Sequence, residues 1–237
     1  MPDTIPGRLA EVRARIARAA SRAGRDPSSV RLVAVSKTFS ADHVRAAAAA
    51  GQIDFGENKV QEALAKMDAL ADLPLRWHLI GHLQSNKAKR AGSRFDVVQS
   101  VDSAALLKKI DEGAAAEHRT VDLFVQVDLA REATKFGARP TELTEIFAAT
   151  QQAANLRVVG LMLIPPAVDH PEDARRYFRE LRQLRDGLAT SGRSAEMVTE
   201  LSMGMSHDFE VAIEEGATMV RVGAAIFGNR EPRAIDS

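Results

Sequence analysis

The sequence predicts an α/β fold, a single (β/α)8 TIM barrel with an extra helix at its N-terminus. Eight short segments with strand character recur along the chain, and segments with helical periodicity lie between them. The length of 237 residues is close to the roughly 250 that such barrels use. No linker rich in proline, glycine and serine divides the chain, so we expect one domain over residues 1–237. A doubly wound open sheet is the competing fold.

The chain opens with an amphipathic helix over residues 8–23. Leu9, Val12 and Ile16 fall on one helical face, and Gly24 supplies a stop signal. Seven later helical segments lie between the predicted strands, and the first of them, capped by Ser40, contains an alanine tract. The predicted later helices are 40–50, 59–70, 86–91, 104–116, 141–154, 171–190 and 207–215.

The first predicted strand, residues 32–35, is apolar throughout and contains two valines. A strand without polar alternation is typical of a parallel sheet buried on both faces. Lys37 follows at its carboxyl end, where α/β folds assemble ligand sites and where loss of water favours a nucleophilic amine. The alternative is a lysine that only marks the strand exit. The other predicted strands are 53–55, 77–80, 97–101, 121–127, 157–163, 197–201 and 218–222.

The loops after strands seven and eight carry glycine and hydroxyl residues. TIM barrels commonly bind phosphate with these two loops and a helix N-terminus. Gly204 and Gly223 would let the backbone approach an anion, and Ser202 could donate its hydroxyl. Singly, each glycine is explained as well by a turn with positive φ. Together with Lys37, the two loops predict a ligand that carries both a phosphate and an aldehyde.

Composition excludes several classes of function. Lys+Arg and Asp+Glu both total 32, so no global field favours a nucleic acid or an anionic membrane. The absence of cysteine excludes disulfides, thiolate metal sites and a cysteine nucleophile. The N-terminal residues have no apolar core typical of a signal peptide or membrane span. We therefore expect a cytoplasmic protein that binds neither nucleic acid nor membrane, and we expect a monomer.

A metal site is disfavoured, although His78 and His82 have the i, i+4 spacing of a helical metal pair. Their segment has the character of a strand followed by a turn, so the two rings should not share a helical face. No carboxylate close in sequence completes a ligand set. The basic cluster over residues 87–94 is typical of a solvated helix face, although it could also contact an anionic partner.

Six sequence motifs, spread over nearly the whole chain, resemble those of the pyridoxal phosphate homeostasis proteins. These proteins are small barrels similar to the N-terminal domain of alanine racemase. The motifs are LVAVSKT at 32–38, FGENKVQE at 55–62, WHLIGHLQSNK at 77–87, SVDS at 100–103, GLMLIPP at 160–166, and the run from LSMGMSHDFE to IFGNR at 201–230. Motifs of this length in this order are highly specific.

The resemblance implies pyridoxal 5′-phosphate (PLP) as the cofactor, held by Lys37 as an internal aldimine. It further implies that Asn58 lies beside the cofactor ring and that Arg221 lies against the pyridine nitrogen. Three residues are implied to surround the phosphate: Ser202, Gly223 and Ala224. Two positions depart from the family pattern. Relatives commonly have a hydroxyl residue at the position of Ala224 and often an aspartate at that of His207.

By the same resemblance, the chain would be a non-catalytic protein that buffers PLP or delivers it to PLP-dependent apoenzymes. A guanidinium can only donate hydrogen bonds, so Arg221 would favour neutral pyridine and weaken the electron sink. A low-efficiency amino-acid racemase is the alternative. Alanine racemases use a tyrosine from a second domain, whereas Tyr177 lies in a predicted helix and only His78 or His207 is considered as a substitute. A Schiff-base aldolase would share the lysine without needing the glycine loops.

Overall fold

The structure, a computed structural model, describes residues 3–130, 136–190 and 198–228. In this part of the chain eight parallel strands form a closed barrel in sequence order. The barrel closes because β1 pairs with β8, with Leu32 opposite Val220 and Ala34 opposite Val222. The predicted barrel is therefore confirmed and the open sheet was wrong. The strands are β1 (Arg31–Val35), β2 (Asp54–Glu57), β3 (Arg76–Leu79), β4 (Val97–Val101), β5 (Val121–Gln126), β6 (Leu156–Met162), β7 (Glu200–Ser202) and β8 (Met219–Val222).

Helices follow the strands and form the outer layer of the barrel. The predicted N-terminal helix is present, and its first turn is capped by the Thr4 hydroxyl, which accepts a hydrogen bond from the Gly7 N–H at 3.3 Å. The helices are α1 (Ile5–Arg22), α2 (Ala41–Ala49), α3 (Val60–Ala69), α4 (Ala88–Arg94), α5 (Ala104–Ala116), α6 (Leu143–Thr150), α7 (Arg175–Thr190), α8 (Phe209–Glu214) and α9 (Ala224–Phe227).

Helix α1 completes the outer layer where the helix after β8 is too short to do so. Helix α9 has only four residues, and α1 packs against α8, α9 and α2. The buried face of α1 contains Leu9, Val12 and Ile16, as the helical periodicity predicted. The Arg8 Nε donates a 2.7 Å hydrogen bond to the Ile226 carbonyl and joins α1 to the end of the barrel.

The molecule has two apolar cores, separated by the barrel wall. The larger core lies between strands and helices, and a small cluster fills the barrel interior. Residues alternate between the two along β1, where Val33 packs inside while Leu32 and Ala34 pack outside. This alternation determines which side chains near the carboxyl ends face the cavity described below and which face the helices.

The predicted boundaries shift by a few residues at several elements. The predicted strand 197–201 begins at a residue outside the described part of the chain, and β7 covers Glu200–Ser202. The predicted helix 207–215 corresponds to the shorter α8. Helix α9 was not predicted as a separate element, because its four residues are too few to show a helical period.

Candidate cofactor-binding site

A cavity of about 730 Å³ lies at the carboxyl ends of the strands, where TIM barrels hold their ligands. Lys37 contributes to its wall from just beyond β1, Asn58 from just beyond β2, and Arg221 from β8. Gly223 and Ala224, which follow β8, line the cavity as well. Five of the six predicted site residues therefore surround one cavity, and their part in binding a cofactor stays a prediction.

Ser202, the sixth predicted residue, is not among the residues that line the cavity. It is fully buried inside the barrel. Its Oγ donates to the Gln99 Oε1 at 2.6 Å and accepts from the Arg221 Nη1 at 2.7 Å. The only hydrogen of the hydroxyl is thus donated within the protein. Ser202 ends β7 with its side chain next to Arg221. A direct contact between Ser202 and a phosphate does not follow from this geometry.

Ser206, which the sequence analysis did not name as a site residue, provides a hydroxyl at the cavity. It lies in the loop after β7 and lines the cavity, and its Oγ accepts a 3.2 Å hydrogen bond from the Gly223 N–H. This contact joins the loops after strands seven and eight. The loop is held by Asp208, whose Oδ1 accepts from the Met205 N–H at 2.6 Å. The sequence signal for Ser206 was present, since it is the second hydroxyl residue of the loop, but its direction depends on the turn before it.

The two glycines of these loops have different roles. At Gly204 φ is +93° and a Cβ would lie 2.6 Å from the Ala212 Cβ, so this glycine serves a turn and the close packing of α8. The alternative explanation by a turn was therefore correct for Gly204. At Gly223 a Cβ would lie 3.1 Å from the Val35 carbonyl oxygen, so the backbone of the β8 loop contacts the end of β1 beside Lys37.

A chain of hydrogen bonds holds Arg221 from below, through the barrel interior. The Ser202 hydroxyl is hydrogen-bonded to Gln99, and the Gln99 Nε2 lies 2.9 Å from the His78 Nδ1. The other ring nitrogen of His78, Nε2, lies 2.7 Å from the Asp54 Oδ1. Because the Gln99 amide donates to Nδ1, the proton of a neutral His78 belongs on Nε2, facing Asp54. Burial lowers the pKa of His78 in spite of Asp54, which supports the neutral ring. Sequence reasoning missed this chain because its members come from separate strands.

Arg221 is buried and fixed by two hydrogen bonds. Besides the contact with Ser202, its Nη2 donates to the Leu163 carbonyl at 2.8 Å. Burial lowers the pKa of Arg221 to about 10, and the nearby Asp208 opposes this effect. The guanidinium is therefore still protonated at neutral pH. These two bonds use two of its five N–H donors and leave its position in the cavity wall well defined.

Asn58 is positioned by a very close approach of two backbone segments. Gly81, just beyond β3, also lines the cavity, and a Cβ there would lie 2.4 Å from the Asn58 carbonyl oxygen and 2.8 Å from its Cα. The Ser100 Oγ donates a 2.7 Å hydrogen bond to the Gly81 carbonyl and holds the segment in place. Only glycine fits at position 81 without displacing Asn58.

An aromatic stack forms one side of the cavity mouth. The rings of His82 and Phe136 have centroids 3.5 Å apart and planes inclined by 12°. The His82 Nδ1 lies 4.0 Å from the Asp102 Oδ2, and burial raises the pKa of Asp102. Phe136 is 53% exposed and Ile164 is 37% exposed, so the mouth of the cavity is in contact with solvent.

The family is shown by comparison with known proteins. The family model for the N-terminal domain of alanine racemase matches residues 8–231. The pyridoxal phosphate homeostasis protein of Aquifex aeolicus is 45% identical over 224 residues, which are 94% of this chain and 97% of that protein. The chain belongs to the pyridoxal phosphate homeostasis protein family. The protein of this name from Pseudomonas aeruginosa is also 45% identical, over 229 residues that are 97% of each chain.

A solved structure of this family provides a structural match. PipY of Synechococcus elongatus, solved with PLP bound, is 41% identical and has a TM-score of 0.83, covering 95% of this chain and 100% of that one. The family resemblance drawn from the six motifs is thereby confirmed. It extends over the whole described barrel, including the strands that surround the cavity.

The histidines and the tyrosine considered for racemase chemistry in this family member lie away from the cavity wall. His78 is buried between Asp54 and Gln99, and the His207 Nε2 lies 3.2 Å from the Asp169 carbonyl. Tyr177 is on α7, where its hydroxyl accepts from the Arg176 Nη2 at 2.8 Å. None of the three lines the cavity, whereas His82, which the sequence analysis considered only as a metal ligand, does.

The described residues contain neither a candidate metal site nor a helix that could span a membrane. No three of their histidine, aspartate and glutamate side chains come together in a group that could hold a metal ion. None of their helices has both the length and the apolar character that crossing a bilayer requires.

Proposed function

We propose that this chain binds PLP in the cavity, covalently and reversibly at Lys37, and holds it for delivery to PLP-dependent apoenzymes. The observation that carries the proposal is the convergence of an amine, a hydroxyl and a guanidinium on one cavity, from Lys37, Ser206 and Arg221. The PLP bound in the PipY structure supports the choice of ligand. So does the name of the Aquifex and Pseudomonas relatives.

The residues present suit the functional groups of PLP. The neutral amine of Lys37 would add to the aldehyde carbon with release of one water molecule, and uptake of water would reverse the bond. Ser206 and the first N–H groups of α9, which have no partner within that helix, are suited to phosphate oxygens. Ala224 offers only a methyl group there, so its backbone N–H serves in place of a hydroxyl donor.

Arg221 would face the ring nitrogen and keep the pyridine neutral, because a guanidinium only donates. A neutral pyridine delocalises a carbanion poorly, which fits a carrier better than most PLP enzymes. Contact of the mouth with solvent at Phe136 and Ile164 also fits a protein that must release its ligand. A low-efficiency racemase is the second candidate because His82, close to Asp102, lines the same cavity.

Lys37→Ala is the test of the proposed anchor. We expect wild-type protein with PLP to show a yellow absorbance that borohydride removes, with the reduced adduct on the peptide containing Lys37. Lys37→Ala should lose the absorbance and the adduct but keep the far-UV circular dichroism of the barrel. Lys89→Ala, which removes an exposed lysine of α4, is the control. An adduct on another lysine, or none in wild-type protein, would contradict the proposal. Amino-acid turnover that disappears with Lys37 would favour the racemase.

Ser202→Ala and Ser206→Ala should separate a structural hydroxyl from a ligand-binding one. Ser202→Ala removes the partner of two buried atoms, the Gln99 Oε1 and the Arg221 Nη1, so we expect a loss of about 1–3 kcal/mol in unfolding free energy. Ser206→Ala should leave stability nearly unchanged but weaken PLP binding by about tenfold, one hydrogen bond to a charged group. Urea denaturation and PLP titration measure the two effects. If Ser202→Ala weakens PLP binding as much without loss of stability, the assignment of the two serines is reversed.

A further inference from the structure

A buried ion cluster lies directly behind Lys37, on the helix side of the barrel wall. We call it the Lys66 cluster, and it consists of Lys66, Glu57 and Glu62. The Lys66 side chain is 8% exposed, and its Nζ donates to the Glu57 Oε1 at 2.7 Å and to the Glu62 Oε1 at 3.0 Å. Lys66 and Glu62 stand one turn apart on α3, while Glu57 ends β2.

The alternation of side chains along the strands separates the Lys66 cluster from the cavity. Lys37 and Asn58 line the cavity, so the residues that precede them in sequence, Ser36 and Glu57, face α3. Both are fully buried, and the Ser36 Oγ donates to the Glu57 Oε1 at 2.6 Å. No member of the Lys66 cluster lines the cavity. The cluster therefore acts on the cavity only through the backbone between them.

The Lys66 cluster holds the backbone on both sides of Lys37. On one side the Lys66 Nζ donates to the Ser36 carbonyl at 2.7 Å. On the other side the Glu62 Oε1 accepts from the Thr38 N–H at 2.5 Å. Lys37 is thus bracketed by two charge-assisted hydrogen bonds that originate in one cluster.

The conformation of Thr38 shows that the bracket constrains the backbone. Its φ is +71°, a left-handed value that costs a β-branched residue about 1–3 kcal/mol. Such a conformation persists only where neighbouring groups hold it. The hydrogen bond that Thr38 donates from its own N–H to Glu62 is such a contact. Because Thr38 follows Lys37 directly, its conformation determines how the chain leaves the lysine.

Stability alone does not explain the Lys66 cluster. Burying an ion pair is costly, and apolar residues of similar volume are often equally stable in its place. The Glu57 Oε2 is buried and has no hydrogen-bond partner within the described residues. Burial accordingly raises the pKa of Glu57, although Lys66 and Ser36 oppose the rise. The arrangement is better suited to fixing geometry than to stabilising the fold.

We propose that the Lys66 cluster is a positioning device for Lys37, in which Glu62 holds Thr38 and Lys66 holds Ser36 so that the amine is aimed into the cavity. The inference rests on the proposed function, because it assumes that Lys37 forms the bond to PLP. Glu62 is a positioning residue here, since it contacts the backbone beside the lysine and not the ligand. The same bracket would keep the amine in place after PLP has left.

Glu62→Leu and Glu62→Gln provide a matched test. Glutamine keeps an oxygen that accepts from the Thr38 N–H, whereas leucine removes it. We expect Glu62→Leu to raise the apparent Kd for PLP and to slow covalent bond formation by about tenfold or more. Glu62→Gln should stay within about threefold of wild-type protein, as one retained hydrogen bond allows. Absorbance titration, stopped-flow kinetics and borohydride trapping on Lys37 are the measurements.

A control variant accounts for the loss of an ion pair as such. Glu112→Leu removes a carboxylate of α5 that lies 2.8 Å from the Nζ of Lys89 on α4. This ion pair is far along the chain from Lys37, so the variant should leave PLP binding unchanged. Side-chain exposure of 30% at Glu62 favours folding of the leucine variant. If it does not fold, Glu62→Ala is measured instead.

The outcomes separate this inference from the proposed function. Slow and weak binding in Glu62→Leu, with recovery in Glu62→Gln, supports positioning through Thr38. Equal behaviour of both variants, whether like wild-type protein or equally impaired, overturns it. When only the positioning inference fails, wild-type protein still gives the adduct on Lys37. If wild-type protein gives no such adduct, the proposed function itself is refuted.

Discussion

Lys66→Met is expected to lower the free energy of unfolding by about 3–5 kcal/mol at neutral pH, because it leaves a buried carboxylate without its counter-ion. Glu57 is fully buried, and its Oε1 loses the 2.7 Å contact with the Lys66 Nζ. The Ser36 hydroxyl alone remains to solvate that oxygen. Methionine has nearly the length of lysine, so the loss reflects charge rather than a cavity.

The loss in Lys66→Met should depend on pH in a defined direction. Burial already raises the pKa of Glu57 in the folded protein, and Lys66 opposes this rise. Without Lys66 the folded-state pKa rises further above the unfolded value. The folded state then holds a proton that the unfolded state releases, so stability falls as pH increases through the interval between the two pKa values. Below that interval Glu57 is neutral in both states and the penalty disappears.

Urea denaturation of Lys66→Met at about pH 5 and about pH 8 measures this effect. The matched control is the double variant Lys66→Met/Glu57→Gln, which has no buried charge at this place. It should recover much of the lost stability and show no added dependence on pH. A single variant that is equally unstable at both pH values would show that Glu57 is not the group responsible.

Gly81→Ala is expected to have the second large effect. The added Cβ would lie 2.4 Å from the Asn58 carbonyl oxygen and 2.8 Å from its Cα. Both are backbone atoms, so β2 and the segment after β3 must move apart. Overpacking of this kind costs about 1–3 kcal/mol or more. Asn58 would also leave its place in the cavity wall, and PLP binding should weaken by about tenfold or more.

Gly187→Ala on α7 is the matched control for Gly81→Ala. A Cβ at Gly187 meets no atom within 4 Å, and alanine stabilises a helix interior relative to glycine by about 0.5–1 kcal/mol. This variant should therefore bind PLP normally and unfold at an equal or higher temperature. Thermal denaturation and PLP titration of both variants are the measurements. Normal PLP binding by Gly81→Ala would show that Asn58 is not needed at its present position.

Much of the fold follows from local patterns in the sequence. The apolar residues of β1 predicted a strand buried on both faces, and the spacing of Leu9, Val12 and Ile16 predicted the buried face of α1. These sequence patterns match the structure because an element must bury its apolar residues on one side, which fixes the spacing of those residues along the chain. Short elements were harder to predict, since β7 has three residues and α9 has four, too few to display a period.

The candidate site was predictable where a residue's position along a strand determines its direction. Lys37 and Arg221 follow that rule and both line the cavity. That Ser206 lines the cavity and Ser202 does not was not predicted, because the positive φ of Gly204 turns the loop between them. The Lys66 cluster and the contact of Gln99 with His78 were not predicted, because each depends on side chains from different strands and helices that meet only after folding.

The pairing of β1 with β8 has a consequence for the order of events during synthesis. Lys37 lies near the start of the chain and Gly223 near its end, yet their strands are hydrogen-bonded neighbours. A growing chain therefore contains the amine long before it contains the loop expected to take the phosphate. Contacts so distant in sequence form late and slowly. If PLP binds as proposed, a chain truncated before β8 would contain Lys37 without the closed barrel around it, and we expect such a chain not to retain PLP.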